Sequence, residues 1–85
     1  MRTRLTDAQL TGWAITAARE YRGLKIGELA SQLGLHRNTM ARIESGERPV
    51  KQIELLGIAA ALNFPVEWLE GPKLPGGLGG YLLAA

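Results

Sequence analysis

The 85-residue chain has no cysteine, which excludes disulfides, thiolate zinc sites and cysteine nucleophiles. It has one histidine, too few for a multi-histidine metal site. Leu55–Leu62, the longest unbroken run of apolar or small residues before the Gly-rich end of the chain, is far short of the ~20 residues a membrane helix needs. Asp7 and Gln9 interrupt the apolar stretch that a signal peptide would carry after Arg2 and Arg4, so a cytoplasmic protein is expected. No segment alternates apolar and polar residues over six positions with β-branched enrichment, so strands are not expected. Internal repeats are lacking. Materials for catalysis are equally sparse, with two serines and one histidine. His36 and Ser45 stand at opposite ends of one expected helix, ~13 Å apart, which excludes a hydrogen bond between them. The sequence gives no reason to expect an enzyme, a cofactor or a metal.

What is present is an ordinary globular composition, 46% hydrophobic and 21% charged, sufficient for one small domain. The net charge of +2 and a sequence pI near 9.4 permit an anionic partner without demanding one. Helix signals are dense. Thr6 and Gln9 have the spacing of a capping box, and Asp7 suits the first turn of a helix. Leu10, Trp13, Ala14, Ala17, Ala18 and Tyr21 follow at helical spacing until Gly23, which predicts a helix over about 6–22. Ile26, Leu29, Ala30 and Leu33 give a second, stopped by Gly34. A third spans about 37–45, with Met40 and Ile43 inward and Gly46 as its stop. Pro49 marks the start of a fourth, apolar on much of its circumference up to Leu62 and ended by Asn63. Val66, Trp68 and Leu69 suggest a short fifth helix ending at Gly71. The reading is therefore an all-α domain of five helices over residues 1–71. A Gly-rich flexible tail is expected over 72–85, with Tyr81–Leu83 as its apolar end.

The informative unit is Ile26–Glu44. Two short helices flank a turn at Gly34-Leu35-His36, and Gly34 can take the positive φ such a turn needs. Leu29, Leu33, Leu35, Met40 and Ile43 are apolar positions that fix the crossing. Arg37, Asn38, Ala41 and Arg42 are left pointing outward. A helix exposing such a face fits the DNA major groove, where arginine reads guanine and asparagine reads adenine through paired hydrogen bonds. Ala41 is suited to a thymine methyl.

Arg19-Glu-Tyr-Arg-Gly-Leu24, Glu28-Leu-Ala30, Leu33-Gly-Leu35 and Met40-Ala-Arg-Ile-Glu-Ser-Gly46 resemble the Xre-type helix-turn-helix family. This is the family of the lambdoid phage repressor and Cro proteins. The likeness continues through Leu55-Leu-Gly-Ile-Ala59, Leu62 and Val66-Glu-Trp-Leu69, and covers about residues 13–71. It implies a lambda-repressor-like fold and a transcriptional regulator of double-stranded DNA, a repressor working as a homodimer on a two-fold operator. Arg37, Asn38 and Arg42 occupy the family's base-reading positions, with Ala41 beside them. Lys25, His36, Thr39, Ser45, Arg48 and Lys51 are candidates for phosphate contacts. Arg19 and Glu44 match a pair that ties the first helix to the recognition helix. Phe64, Val66, Trp68 and Leu69 are candidates for the dimer contact. The chain departs from the family in Ile26, where a polar residue usually opens the second helix, and in His36, where Ser or Thr usually caps the third. A bacterial or phage origin is implied. The alternative within the same fold is an antitoxin or adaptor whose main partner is a protein, bound through the tail from Gly71.

Overall fold

The computed structural model describes residues 5–70. Within them lie four α-helices, α1 (Asp7–Tyr21), α2 (Ile26–Gln32), α3 (Arg37–Ser45) and α4 (Gln52–Leu62), followed by a 3-10 turn over Val66–Trp68. No strand occurs among the described residues. The boundary expected at residues 71–72, the tail beyond it, and Arg2 and Arg4 lie outside them.

Local chemistry explains most helix ends. The Thr6 hydroxyl accepts from the Gln9 amide at 3.0 Å, while the Gln9 side-chain oxygen accepts from the Thr6 amide at 2.9 Å. Two of the four orphan donors of α1 are satisfied in this way. Before α2, the Lys25 amide donates to Glu28 Oε1 at 2.7 Å, and before α4 the Lys51 amide donates to Glu54 Oε1 at 2.9 Å. Gly34 has φ +69° and turns the chain so that the Leu35 amide reaches the Ala30 carbonyl at 2.9 Å. Asn63, at φ 57°, supplies the left-handed residue that ends α4.

The core gathers Ile15 from α1, Leu29 from α2, Met40 and Ile43 from α3, and Leu55, Ile58 and Leu62 from α4. α3 is clasped between α1 and α2. Its contact with α1 is unusually close. A Cβ on Gly12 would lie 2.8 Å from the Glu44 backbone carbon and closer still to the carbonyl oxygens of Ile43 and Glu44. Only a residue without a side chain fits there.

Three expectations need correction. The fifth element is a single 3-10 turn rather than an α-helix. Leu69, expected at a dimer contact, is 1% exposed and belongs to the core. Burying it contributes about 1.5–3 kcal/mol. The inward face of α1 is also not the one its large apolar residues suggest. Thr11, Gly12, Ile15, Ala18 and Arg19 are buried, whereas Trp13, Ala17 and Tyr21 face outward.

Two glycine substitutions should separate crowding from backbone strain. Gly34→Ala meets open space and should cost about 1–2 kcal/mol through its positive φ alone. Gly12→Ala has a permissive helical backbone but would push α3 away, with an expected loss of about 1–3 kcal/mol or more. Urea denaturation of both variants checks the order.

Candidate nucleic-acid interface

α3 carries its polar surface on one side. At 3.6 residues per turn, Arg37, Asn38, Ala41, Arg42 and Ser45 fall within an arc of about 140°. Met40 and Ile43 point the other way and are buried. Arg37, Asn38, Arg42 and Ser45 are exposed and Ala41 is half-buried. The four candidate base readers are thus brought together on one face. Thr39 lies outside this arc and is half-buried, at the flank of the helix.

The start of α3 differs from that of the other helices. α1, α2 and α4 each place an acid in the first turn, Asp7, Glu28 and Glu54 respectively. α3 has none, and opens instead on Arg37. Its N-cap residue, His36, makes no side-chain hydrogen bond to the helix, and is exposed. A cation at the positive end of a helix dipole is unfavourable by about 0.3–1 kcal/mol. The first turn therefore presents unfilled backbone donors and a positive side chain to solvent, an arrangement that suits an anion.

Lys25 and Lys51 are exposed at the entries to α2 and α4. An open depression of about 540 Å³ lies between α2 and the start of α3, lined by Arg19, Lys25, Ile26, Gly27, Glu28 and Arg37. Three of these six side chains are basic. Ser45 is turned back on its own helix, its hydroxyl donating to the Arg42 carbonyl at 3.1 Å. Arg48, a phosphate candidate, has another engagement. Its guanidinium makes two hydrogen bonds to Glu54, at 3.0 and 2.9 Å, and a longer one to the Pro49 carbonyl. The paired guanidinium holds the Glu54 carboxyl below its ordinary range, and the carboxylate in turn raises Arg48. This ion pair ties the loop before α4 to the helix, and with Glu54 beside it the positive charge of Arg48 is locally balanced.

α3 is anchored from behind. Arg19 donates from Nε to Glu44 Oε2 at 2.8 Å and from Nη2 to Glu44 Oε1 at 3.1 Å. The remaining terminal nitrogen donates to the Leu24 carbonyl at 2.7 Å, and the Thr16 hydroxyl donates to Glu44 Oε1 at 2.8 Å. Both charged side chains are nearly buried, at 10% and 6% exposure. Among the described residues no buried side-chain polar atom lacks a partner. Gly12 and Thr16 were not singled out from the sequence. The available signal was a small and hydroxyl stripe, Gly12, Thr16 and Arg19, at spacings of four and three on one side of α1.

Two short helices joined by a glycine turn, with the second clasped from behind and polar in front, define a helix-turn-helix unit. The helix-turn-helix domain family matches residues 11–70, and the chain belongs to that family. Among solved structures it is similar to the restriction-modification controller protein C.AhdI from Aeromonas hydrophila. That match has 30% identity and a TM-score of 0.71 over 74% of this chain and 96% of that one. It also shares its fold with the clp gene regulator ClgR from Corynebacterium glutamicum, at 22% identity and TM-score 0.72, over 74% of this chain and 82% of that one. A further match, at 28% identity and TM-score 0.70, is to CoII HppE in complex with substrate, of which it spans only 36%. No curated protein matches the chain.

Removing one partner of the buried pair should be costly. Glu44→Ala leaves Arg19 charged and desolvated, with an expected loss of about 3–5 kcal/mol. Arg19→Met combined with Glu44→Leu should recover much of that loss. Chemical denaturation of the single and double variants measures both.

Proposed function

We propose that the protein is a transcriptional regulator that binds double-stranded DNA sequence-specifically, with α3 in the major groove. The observation that carries this reading is the solvent face of α3. It groups Arg37, Asn38, Ala41 and Arg42 on a helix whose opening turn has no acid and no side-chain cap. Arg37 and Arg42 are suited to guanine, Asn38 to adenine and Ala41 to a thymine methyl. Lys25, His36, Lys51 and the amides of the first turn of α3 meet phosphates, and Thr39 and Ser45 take neutral contacts beside them. The similarity to a restriction-modification controller protein supports the same reading.

One recognition helix reads only a few base pairs, so the functional unit in this proposal is a homodimer. Its half-sites lie about 10–10.5 bp apart on a two-fold operator. The end of the molecule bearing α4 supplies the contact. With Leu69 in the core, and Phe64 and Val66 packed against it, the exposed large apolar residues of α4 are Ile53 and Leu56, at 77% and 48%. Repression by blocking polymerase is the simplest action for such a unit.

Arg42→Ala should weaken binding to a selected operator by about 1–3 kcal/mol while leaving random duplex nearly unaffected. With roughly 6–10 phosphate contacts in a dimer, affinity should fall about 10³–10⁵-fold between 50 and 200 mM salt. Titration of both duplexes at several salt concentrations tests this. Equal losses on both duplexes, or a flat salt response, would count against the reading. Leu56→Glu should shift the protein towards monomer in sedimentation and weaken operator binding, with the helical content unchanged.

A further inference from the structure

Four of the five aromatic residues of the chain lie along one groove to which α3 contributes no lining residue. Trp13, Ala14, Ala17 and Tyr21 of α1 form one wall, and Phe64 and Trp68 the other, around about 620 Å³. Tyr21 and Phe64 meet edge to face with ring centroids 5.9 Å apart, and Phe64 and Trp68 lie 5.6 Å apart. Yet Trp13, Tyr21 and Trp68 are 64%, 76% and 53% exposed. A clustered aromatic surface of this kind marks a contact site.

The one charge in the groove, Arg22, is already engaged. Its guanidinium donates to the Leu62 carbonyl at 2.7 Å and the Asn63 carbonyl at 3.0 Å, and lies 4.4 Å from the Phe64 ring centroid. The groove therefore asks for an uncharged, apolar occupant. The described chain ends beside it, because Leu69 is buried and the Glu70 carbonyl accepts from the Thr11 hydroxyl at 3.1 Å, two residues before Trp13. Fifteen residues follow Glu70. Their only charged side chain is Lys73, and they include Leu74, Leu78, Leu82, Leu83 and the fifth aromatic, Tyr81.

We infer that the segment Leu78–Leu83 of the same chain fills this groove, covering Trp13, Ala17, Tyr21 and Trp68. Reach is ample. Eleven residues from Glu70 to Tyr81 extend to about 36 Å, whereas the α1 wall from Thr11 to Tyr21 is about 15 Å long. Gly76, Gly77, Gly79 and Gly80 let the chain follow a close path. The tether decides between this occupant and a second copy. A segment tethered through so few residues is present at a local concentration of order millimolar, which favours the intrachain contact in dilute solution. The contact leaves α3 and the exposed face of α4 free, and stands independently of the DNA reading.

The experiment reads tryptophan fluorescence, because both tryptophans of the chain line the groove. The full-length protein is compared with the full-length variant carrying Leu82→Asp and Leu83→Asp, at two concentrations a decade apart. The expected result is a red shift of emission and stronger acrylamide quenching in the variant, at both concentrations, with unchanged helical circular dichroism. Emission that responds to concentration but not to the variant would overturn the inference in favour of a second copy, and emission indifferent to both would overturn it outright. A second measurement does not depend on the variant's folding. The chain has no native cysteine, so Ala17→Cys with Tyr81→Cys should oxidise to a disulfide within one chain. Bridging between chains, or two persistently free thiols, would overturn it.

Discussion

The ion pair between Arg19 and Glu44 holds the working part of the molecule in place. α3 is only nine residues long, too short to be stable by its own propensity. Its outward side is given over to polar residues, so its position must be set from behind. Met40 and Ile43 anchor it to the core, but apolar packing alone is tolerant of small rotations. The forked guanidinium fixes both distance and angle, and Thr16 and the Leu24 carbonyl complete the hydrogen bonding of the pair. Gly12 then lets α1 approach the α3 backbone closely enough for the fork to reach. Close approach, ion pair and rigid presentation are one device. Its benefit lies in orientation more than in net stability, since a buried ion pair often does no better energetically than a well-packed apolar substitute.

The front of α3 shows the opposite economy. Three helices complement their dipoles with an acid in the first turn and satisfy their opening amides through side chains. α3 does neither, and adds an arginine at its positive end. Local disagreement of this sort, in a chain otherwise consistent at its helix ends, is expected where function competes with stability. The same contrast separates the arginines. Arg19, Arg22 and Arg48 are each held by two or more hydrogen bonds within the fold. Arg42 has only a distant exposed carboxylate, Glu47, at 3.9 Å, and remains available.

Helix ends were legible in the sequence because their signals are local: Thr6 with Gln9, Gly34, Gly46 and Asn63 each act within a few residues. The face of α3 was legible because its apolar residues are few and large. The face of α1 was not. Ranking positions by apolar size selects Trp13 and Tyr21, whereas the fold turns inward Thr11, which binds the Glu70 carbonyl, Gly12, which admits α3, and Arg19, which pairs with Glu44. Each is buried for a partner distant in sequence. The pairing of Arg48, a phosphate candidate in the sequence, with Glu54 is illegible there for a related reason, since it bridges a loop and a helix at a spacing of six, outside helical periodicity. Leu69 looked like an interface residue because the 3-10 turn that tucks it inward cannot be told from an α-helix in so short a segment.

α1 therefore has two faces with different obligations. One is buried, with Ile15 in the core and Gly12, Thr16 and Arg19 against α3; the other carries Trp13 and Tyr21 and faces outward. A small domain buries a limited fraction of its surface, so it can complete only one such core. A helix apolar on the side its own core does not use needs a second cover, and large aromatic rings lose most by remaining in water. The arrangement of charge differs between the two sides. On the α3 side the arginines reach out, and an anion is the fitting partner. On the Trp13 side the lone arginine is turned inward onto the end of α4, which leaves rings and methyl groups at the surface. The two sides of the domain thus differ in chemistry, and the pair at Arg19 and Glu44 belongs to the side of α1 that meets α3.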